Sequence, residues 1–241
     1  MDMTQLIFIN SIVLLGAVCQ GSIGMGFGLI ASPLLILIDP GFVPAPMIMC
    51  GFTLSVLIML RNRKATDFNA LKFSLIGRFI GTVIAVSVII YISQEAFSLV
   101  FGAIIILAVF LSIIKADWEL TPFNLFGAGL ASGIMATLTS IGSPPMGLLL
   151  QKQKGSVLRG TLSGFFTVGA GVSVLFLAFV GKVTAVEGWL FLQVLPALLL
   201  GFLLSRYSIR FLDKGYTRAL ILAISALGGL SVIIKTIINY I

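Results

Sequence analysis

The chain has 241 residues, 59% of them hydrophobic and only 10% charged, with a formal net charge of +7 and no histidine. A soluble domain of this size needs far more polar surface, so composition excludes one and leaves a polytopic membrane protein. The positive balance is no nucleic-acid signature, because the basic residues sit in short loops between apolar runs, as the positive-inside bias predicts.

Apolar segments fall at 5–38, 44–60, 71–92, 97–115, 123–150, 160–180, 187–204 and 217–238. The first run has no basic n-region, the first Lys or Arg being Arg61, so it does not read as a cleaved signal peptide. Cys19 and Cys50 both fall in apolar runs and give no disulfide framework. The connections are short and carry turn signals such as Asp39-Pro40-Gly41, with no flexible linker or low-complexity tract. A single membrane domain, 1–241, is expected.

Two of the segments are too long for one crossing, and both are broken. The first is interrupted at 20–33 by QGSIGMGFGLIASP, the second at 140–147 by SIGSPPMG. A helical Gly costs about 1 kcal/mol against Ala and a Pro about 3 kcal/mol. Irregular backbone survives at membrane depth only where protein or a water-filled cavity surrounds it.

Orientation follows from Lys and Arg. The loops at 61–72, 115–122, 151–159 and 204–218 hold Arg61, Arg63, Lys64, Lys72, Lys115, Lys152, Lys154, Arg159, Arg206, Arg210, Lys214 and Arg218. These loops are assigned to the cytoplasm; those at 39–43, 93–96 and 181–186, with Lys182 alone, go outside together with both termini. Segment 123–150 then has a cytoplasmic loop at each end, which requires a re-entrant hairpin with its tip at the break. Each arm has roughly 10–17 residues, about 15–25 Å long, enough to reach the midplane. By the same reasoning 5–38 is a hairpin from outside.

Each half is therefore one broken-helix hairpin plus three transmembrane helices. The halves, 1–119 and 120–241, run in opposite senses. Ser22-Ile23-Gly24 recurs as Ser140-Ile141-Gly142, and Gly51-Phe52-Thr53 resembles Gly164-Phe165-Phe166-Thr167. The expected fold is an all-α polytopic membrane protein of two inverted-topology repeats, an arrangement found in secondary transporters.

Catalysis is not expected. Ser–His proteolysis and histidine-ligated metal chemistry both need a histidine, and the acidic residues all read as loop or segment-end positions. No catalytic residue, metal site or cofactor is assigned. The same lack of buried carboxylates hides any proton relay. Sodium coupling would need only carbonyls and hydroxyls, so H+ and Na+ both stay open as coupling ions.

The hairpin tips have a definite electrostatic character. The second arm of each begins at mid-membrane, so its free N–H groups and positive dipole end point into the site. Ser143 suits an N-cap, with Pro144 and Pro145 at the first helical positions. In the first tip, Gly24, Gly26 and Gly28 leave N–H groups unshielded. Two such ends without a buried acid favour a small oxyanion over a cation. The same glycines would also let helices pack closely.

Arg78 is the one formal charge well inside an apolar run, about 10 Å along the helix from Lys72. It either attracts the anion or snorkels to the interface. Candidate contacts to substrate are Gln20, Gly21, Ser22, Gly24, Gly26, Thr53, Thr139, Ser140, Gly142, Ser143 and Thr167, with Gln193 further along; each polar side chain among them could instead make an interhelical hydrogen bond. Pro33, with Gly28 and the two later prolines, is assigned to the broken-helix framework. Trp118 and Trp189 read as interfacial anchors.

The blocks GSIGMGFGLIASPLL and GIMATLTSIGSPPMGLLL resemble the TauE/SafE sulfite exporter family, as do the length and two-repeat layout. The resemblance implies a permease of the bacterial inner membrane for small sulfur-containing anions such as sulfite or organosulfonates. It carries Gly21, Gly24, Gly26, Gly28, Pro33, Gly142 and Pro145 over as broken-helix elements. Expected partners are a small anionic substrate, the lipid bilayer and a coupling ion, with no nucleic acid; a homo-oligomer is compatible. An anion channel and a non-transporting membrane scaffold are the alternatives to alternating access.

Overall fold

The computed structural model describes residues 2–114, 118–153, 155–212 and 216–240. Of the basic loop residues, Lys115, Lys154 and Lys214 lie outside the described residues. Among the described residues ten α-helices follow in chain order: α1 (Met3–Ile23), α2 (Phe27–Ile38), α3 (Ala45–Asn62), α4 (Phe68–Tyr91), α5 (Gln94–Ile113), α6 (Pro122–Thr139), α7 (Ser143–Leu149), α8 (Gly155–Phe179), α9 (Ala185–Leu212) and α10 (Tyr216–Tyr240). No strand occurs among the described residues.

Local sequence explains most boundaries. Asp2 opens α1 with a capping box, its side chain accepting from the Gln5 N–H at 2.7 Å. Ser93 caps α5 and Thr121 caps α6, the latter with Pro122 in the first turn, where no N–H is needed. Both expected breaks are present. The first closes α1 on Gly24 (φ 96) and opens α2 on Gly26 (φ 115), left-handed values that favour glycine. The second closes α6 on Ser140 (φ 63).

These boundaries shift the expected repeat register. Gly24-Met25-Gly26 occupies the place of Ser140-Ile141-Gly142, so the Ser-Ile-Gly match lies two residues out of structural alignment. The arms also differ from the expected half-membrane lengths. α1 has 21 residues and α2 only 12; α6 has 18 and α7 only seven. Each tip therefore joins a long arm to a short one, about 32 and 18 Å in the first hairpin and about 27 and 11 Å in the second.

Among the described residues, seven helices are long and apolar enough to cross a membrane: α1, α3, α4, α5, α8, α9 and α10. They expose large apolar side chains such as Phe8, Ile76, Phe110, Phe179 and Trp189 outward, while Ile9, Leu35, Phe101 and Phe165 are buried between them. Such an outside suits lipid as solvent.

The helices pair in a repeating manner. α1 packs on α9 as α6 packs on α4; α3 packs on α8 and α5 on α10; α2 lies on α10 as α7 lies on α5. Small residues one turn apart set the closest pairs. Between α4 and α6, Gly77 lies against the Phe126 and Leu130 backbone, Gly129 against the Ser74 backbone, and Gly81 meets Gly133. On α1 and α9, Ala17 meets Gly201 and Gly21 meets Ser205. Contacts advance together along both chains, so both pairs are parallel.

The loops sort to two ends. Pro40, Pro44, Ile92, Gln94, Lys182 and Glu187 surround one shared cavity. At the opposite end Arg61, Asn62, Thr161 and Arg159 gather around the end of α3 and the start of α8. Leu125 near the start of α6 and Leu149 and Leu150 at the end of α7 pack into one cluster with Leu71 and Leu162. The α6–α7 hairpin thus leaves and returns at this second, basic end.

Candidate functional site

The two breaks meet. A side-chain carbon on Gly28 would collide with the Ser140 carbonyl and come within 3.2 Å of the Ile141 backbone, so the start of α2 lies directly against the α6 tip. Beside this contact is a cavity of about 50 Å³. Phe27 and Gly28 line it from the first break, and Ser140, Gly142 and Ser143 from the second. Gln20 of α1, Met47, Ile48, Gly51 and Ser55 of α3, Arg78 of α4, Ala136 of α6, and Phe166 and Ala170 of α8 complete the wall.

Arg78 is 2% exposed, so it does not snorkel. Gly77 and Gly81 press α4 onto α6, and that close approach turns Arg78 inward toward the second break. Its Nη1 donates to the Ser132 carbonyl at 2.6 Å and to the Ser132 hydroxyl at 3.1 Å. The Ser132 hydroxyl in turn donates to the Gly142 carbonyl at 2.5 Å. The guanidinium lies 5.6 Å from the centre of the Phe165 ring. Its Nε is buried against Gly169 without a partner, and among the described residues no carboxylate pairs with it. An isolated cation in so dry a place is costly unless an anion compensates it.

The helix starts are unequal donors. Gln20 Oε1 accepts from the Phe27 N–H at 3.3 Å, while its Nε2 donates to the Ser55 hydroxyl at 3.4 Å, and Gly28 lines the cavity with bare backbone. The N-cap of α7 is Gly142, not Ser143 as the sequence pattern suggested; Ser143 is the first helical residue and makes no capping bond. Pro144 and Pro145 follow it and have no N–H, so the first turn of α7 has little to donate. Arg78 stands where those donors are missing: a side-chain carbon on Gly142 would lie 2.8 Å from its Nη1.

The expected site residues therefore divide. Gln20, Gly28, Arg78, Ser140, Gly142 and Ser143 surround the cavity. Gly21, Ser22 and Gly24 do not: the Gly21 carbonyl accepts from Arg61, the Ser22 carbonyl from Arg159, and Gly24 packs on the Arg159 backbone. Gly26 and Pro144 face a separate, largely apolar cavity on the far side of the tips, with Met25 and Leu29. Thr53 bonds the Met49 carbonyl within its own helix. Thr139 bonds the Met135 carbonyl and accepts from the Ile141 N–H at 3.3 Å, bracing the second break from behind. Thr167 Oγ1 and Gln193 Oε1 are buried without partners and lie off the cavity wall. Pro33 sits inside α2 against Gly228, and Pro145 is buried.

Several site residues carried no sequence signal. Ser55 and Ser132 are single hydroxyls in apolar helices, and only the fold brings them to Gln20 and Arg78. Past Arg78, Thr82, Thr137 and Ser173 form a fully buried knot of hydroxyls 2.9–3.4 Å apart that ties α4, α6 and α8 together.

No curated relative and no solved structure matches the chain. Residues 9–232 match the family model described as Sulfite exporter TauE/SafE, which spans both breaks and every helix around the cavity. Members of that family are membrane permeases rather than enzymes. The chain belongs to the TauE/SafE sulfite exporter family and is a multi-pass membrane transporter of that type.

Proposed function

We propose that this protein moves sulfite, or an oxyanion of the same size, across the bacterial inner membrane by alternating access. The observation that carries this reading is Arg78: a buried guanidinium with an unpartnered Nε and, among the described residues, no carboxylate beside it, on the wall of a half-open cavity between two helix breaks. A planar guanidinium matches an oxyanion's geometry and charge. Gln20, Ser55 and Ser143 supply neutral donors around it, and the start of α2 adds backbone donors and its dipole.

A cavity of about 50 Å³ suits a small anion such as sulfite.

The packing supports two inverted repeats, 1–119 and 120–241. The partner exchange between halves, the parallel α1–α9 and α4–α6 pairs, and the return of α6–α7 to the basic end all agree with hairpins entering from opposite faces. The basic end is the cytoplasmic one on the positive-inside rule. Purified protein in liposomes should take up labelled sulfite with saturation and counterflow. Selective uptake of a cation or a neutral solute would sink the reading, and flux without saturation would make the protein a channel.

A further inference from the structure

A second cluster of cationic groups lies at the basic end, on the helices that wall the cavity. Arg61 is six residues beyond Ser55 on α3, and Arg159 is seven residues before Phe166 on α8, each about 10 Å along its helix from the cavity wall. Both reach the end of α1. Arg61 donates to the Gly21 carbonyl through Nη2 and to the Ser205 hydroxyl through Nη1 at 2.9 Å, and its guanidinium lies 4.9 Å from the centre of the Phe202 ring. Arg159 donates to the Ser22 carbonyl through Nη1 at 3.3 Å. Two guanidinium groups are thus drawn to consecutive carbonyls of one helix end.

Capping those carbonyls accounts for part of this arrangement. It leaves two features over. Among the described residues no carboxylate pairs with either arginine, so two like charges stand side by side and repel each other. The Arg159 Nε is also buried with no partner. The carbonyls of a helix end carry only about half a negative charge between them, too little to neutralise two cations. Arg61 is exposed and Arg159 half-buried, so the pair is open to water on one side and joined to the cavity helices on the other.

We propose that Arg61 and Arg159 form a second oxyanion station, at the basic end of the bundle, that exchanges the substrate between water and the Arg78 cavity. The Gly21 and Ser22 carbonyl oxygens occupy the places that two oxygens of the anion take when it is bound, and their release frees the end of α1 to move. This rests on the reading of the Arg78 cavity as the transported anion's inner site.

Titration calorimetry of the purified full-length protein with sodium sulfite tests it. The wild type should bind two sulfite ions per chain. Arg61→Gln with Arg159→Gln should keep one site and weaken the other at least tenfold. Arg61→Lys with Arg159→Lys, which keeps both charges without the forks, should retain two sites, the second weakened less than by the glutamine pair, and so separates loss of the station from loss of fold. Arg78→Gln should lose the other site and keep the station. A single wild-type site unaffected by the Arg61 and Arg159 changes overturns the station, as does a wild type that binds no sulfite. An Arg78→Gln protein that still binds two ions overturns the inner site instead, and leaves the station standing.

Discussion

Ser132 holds Arg78 Nη1 with both its carbonyl, at 2.6 Å, and its hydroxyl, at 3.1 Å, while the same hydroxyl donates to the Gly142 carbonyl. One serine thereby fixes the charge of α4 against the break between α6 and α7. Ser132→Ala keeps the carbonyl contact and loses the rest. A hydrogen bond to a charged group contributes about 1.5–3 kcal/mol, so the KM for sulfite should rise by about tenfold or more in proteoliposome uptake. An unchanged KM would mean that Arg78 needs no such anchoring.

Replacing Arg78 itself separates charge from shape. Arg78→Gln should abolish saturable sulfite uptake. Arg78→Lys keeps the charge but loses the planar fork and the stacking on Phe165, so it should recover little of the activity. Full activity in the lysine variant would reduce the role of Arg78 to that of a point charge.

Gly51 offers the opposite kind of change. It lines the cavity, and a side-chain carbon built on it meets no atom within 4 Å. Gly51→Ala should therefore raise the melting temperature, since helical Ala is better than Gly by about 1 kcal/mol, while sulfite uptake falls because the anion's space is filled. A variant with higher stability and undiminished uptake would place the anion elsewhere.

Topology can be read by cysteine accessibility. Single cysteines at Glu119 and Ser156 flank the α6–α7 hairpin and should label from the same side of the membrane. One at Lys182 should label from the other side. Opposite labelling at Glu119 and Ser156 would turn the hairpin into a full crossing and remove the inverted repeat.

The breaks, the basic loops and the helix order were legible because glycine, proline and charge act locally on the backbone and on insertion. The roles of individual glycines were not, because they depend on which side of a left-handed residue each one falls. Gly21 and Gly24 lie at the negative end of α1 and meet arginines; Gly28 lies at the positive start of α2 and meets the cavity. The repeat register slipped for a related reason. The second tip turns on Ser140, a residue that tolerates φ 63 with its hydroxyl bonded to the Pro44 carbonyl at 3.2 Å, where the first tip turns on a glycine. The inward direction of Arg78 has a partial signal in the sequence. The four-residue spacings of Gly77 with Gly81 and of Gly129 with Gly133 mark the face of α4 that abuts α6, and Arg78 lies on it. Ser132 and Ser55 had none, since a lone hydroxyl in an apolar helix is indistinguishable from one that bonds its own backbone.

The Gly28 backbone also meets the Ser140 carbonyl with no side chain between them. Gly28→Ala should lower the melting temperature sharply, whereas Ala at Gly127, which has open space around it, should not. Equal effects would show that the tips tolerate separation.

That same contact dictates how the two halves can move. Atoms already touching cannot be pushed together, so any rocking of one half over the other must roll about Gly28 and Ser140 or pull them apart. On the alternating-access reading proposed above, a point of contact beside the cavity makes a fulcrum: the tips turn least, and the far ends of α1 and α6 sweep furthest. An anion held at that pivot would stay nearly still while the doors on either side of it open in turn.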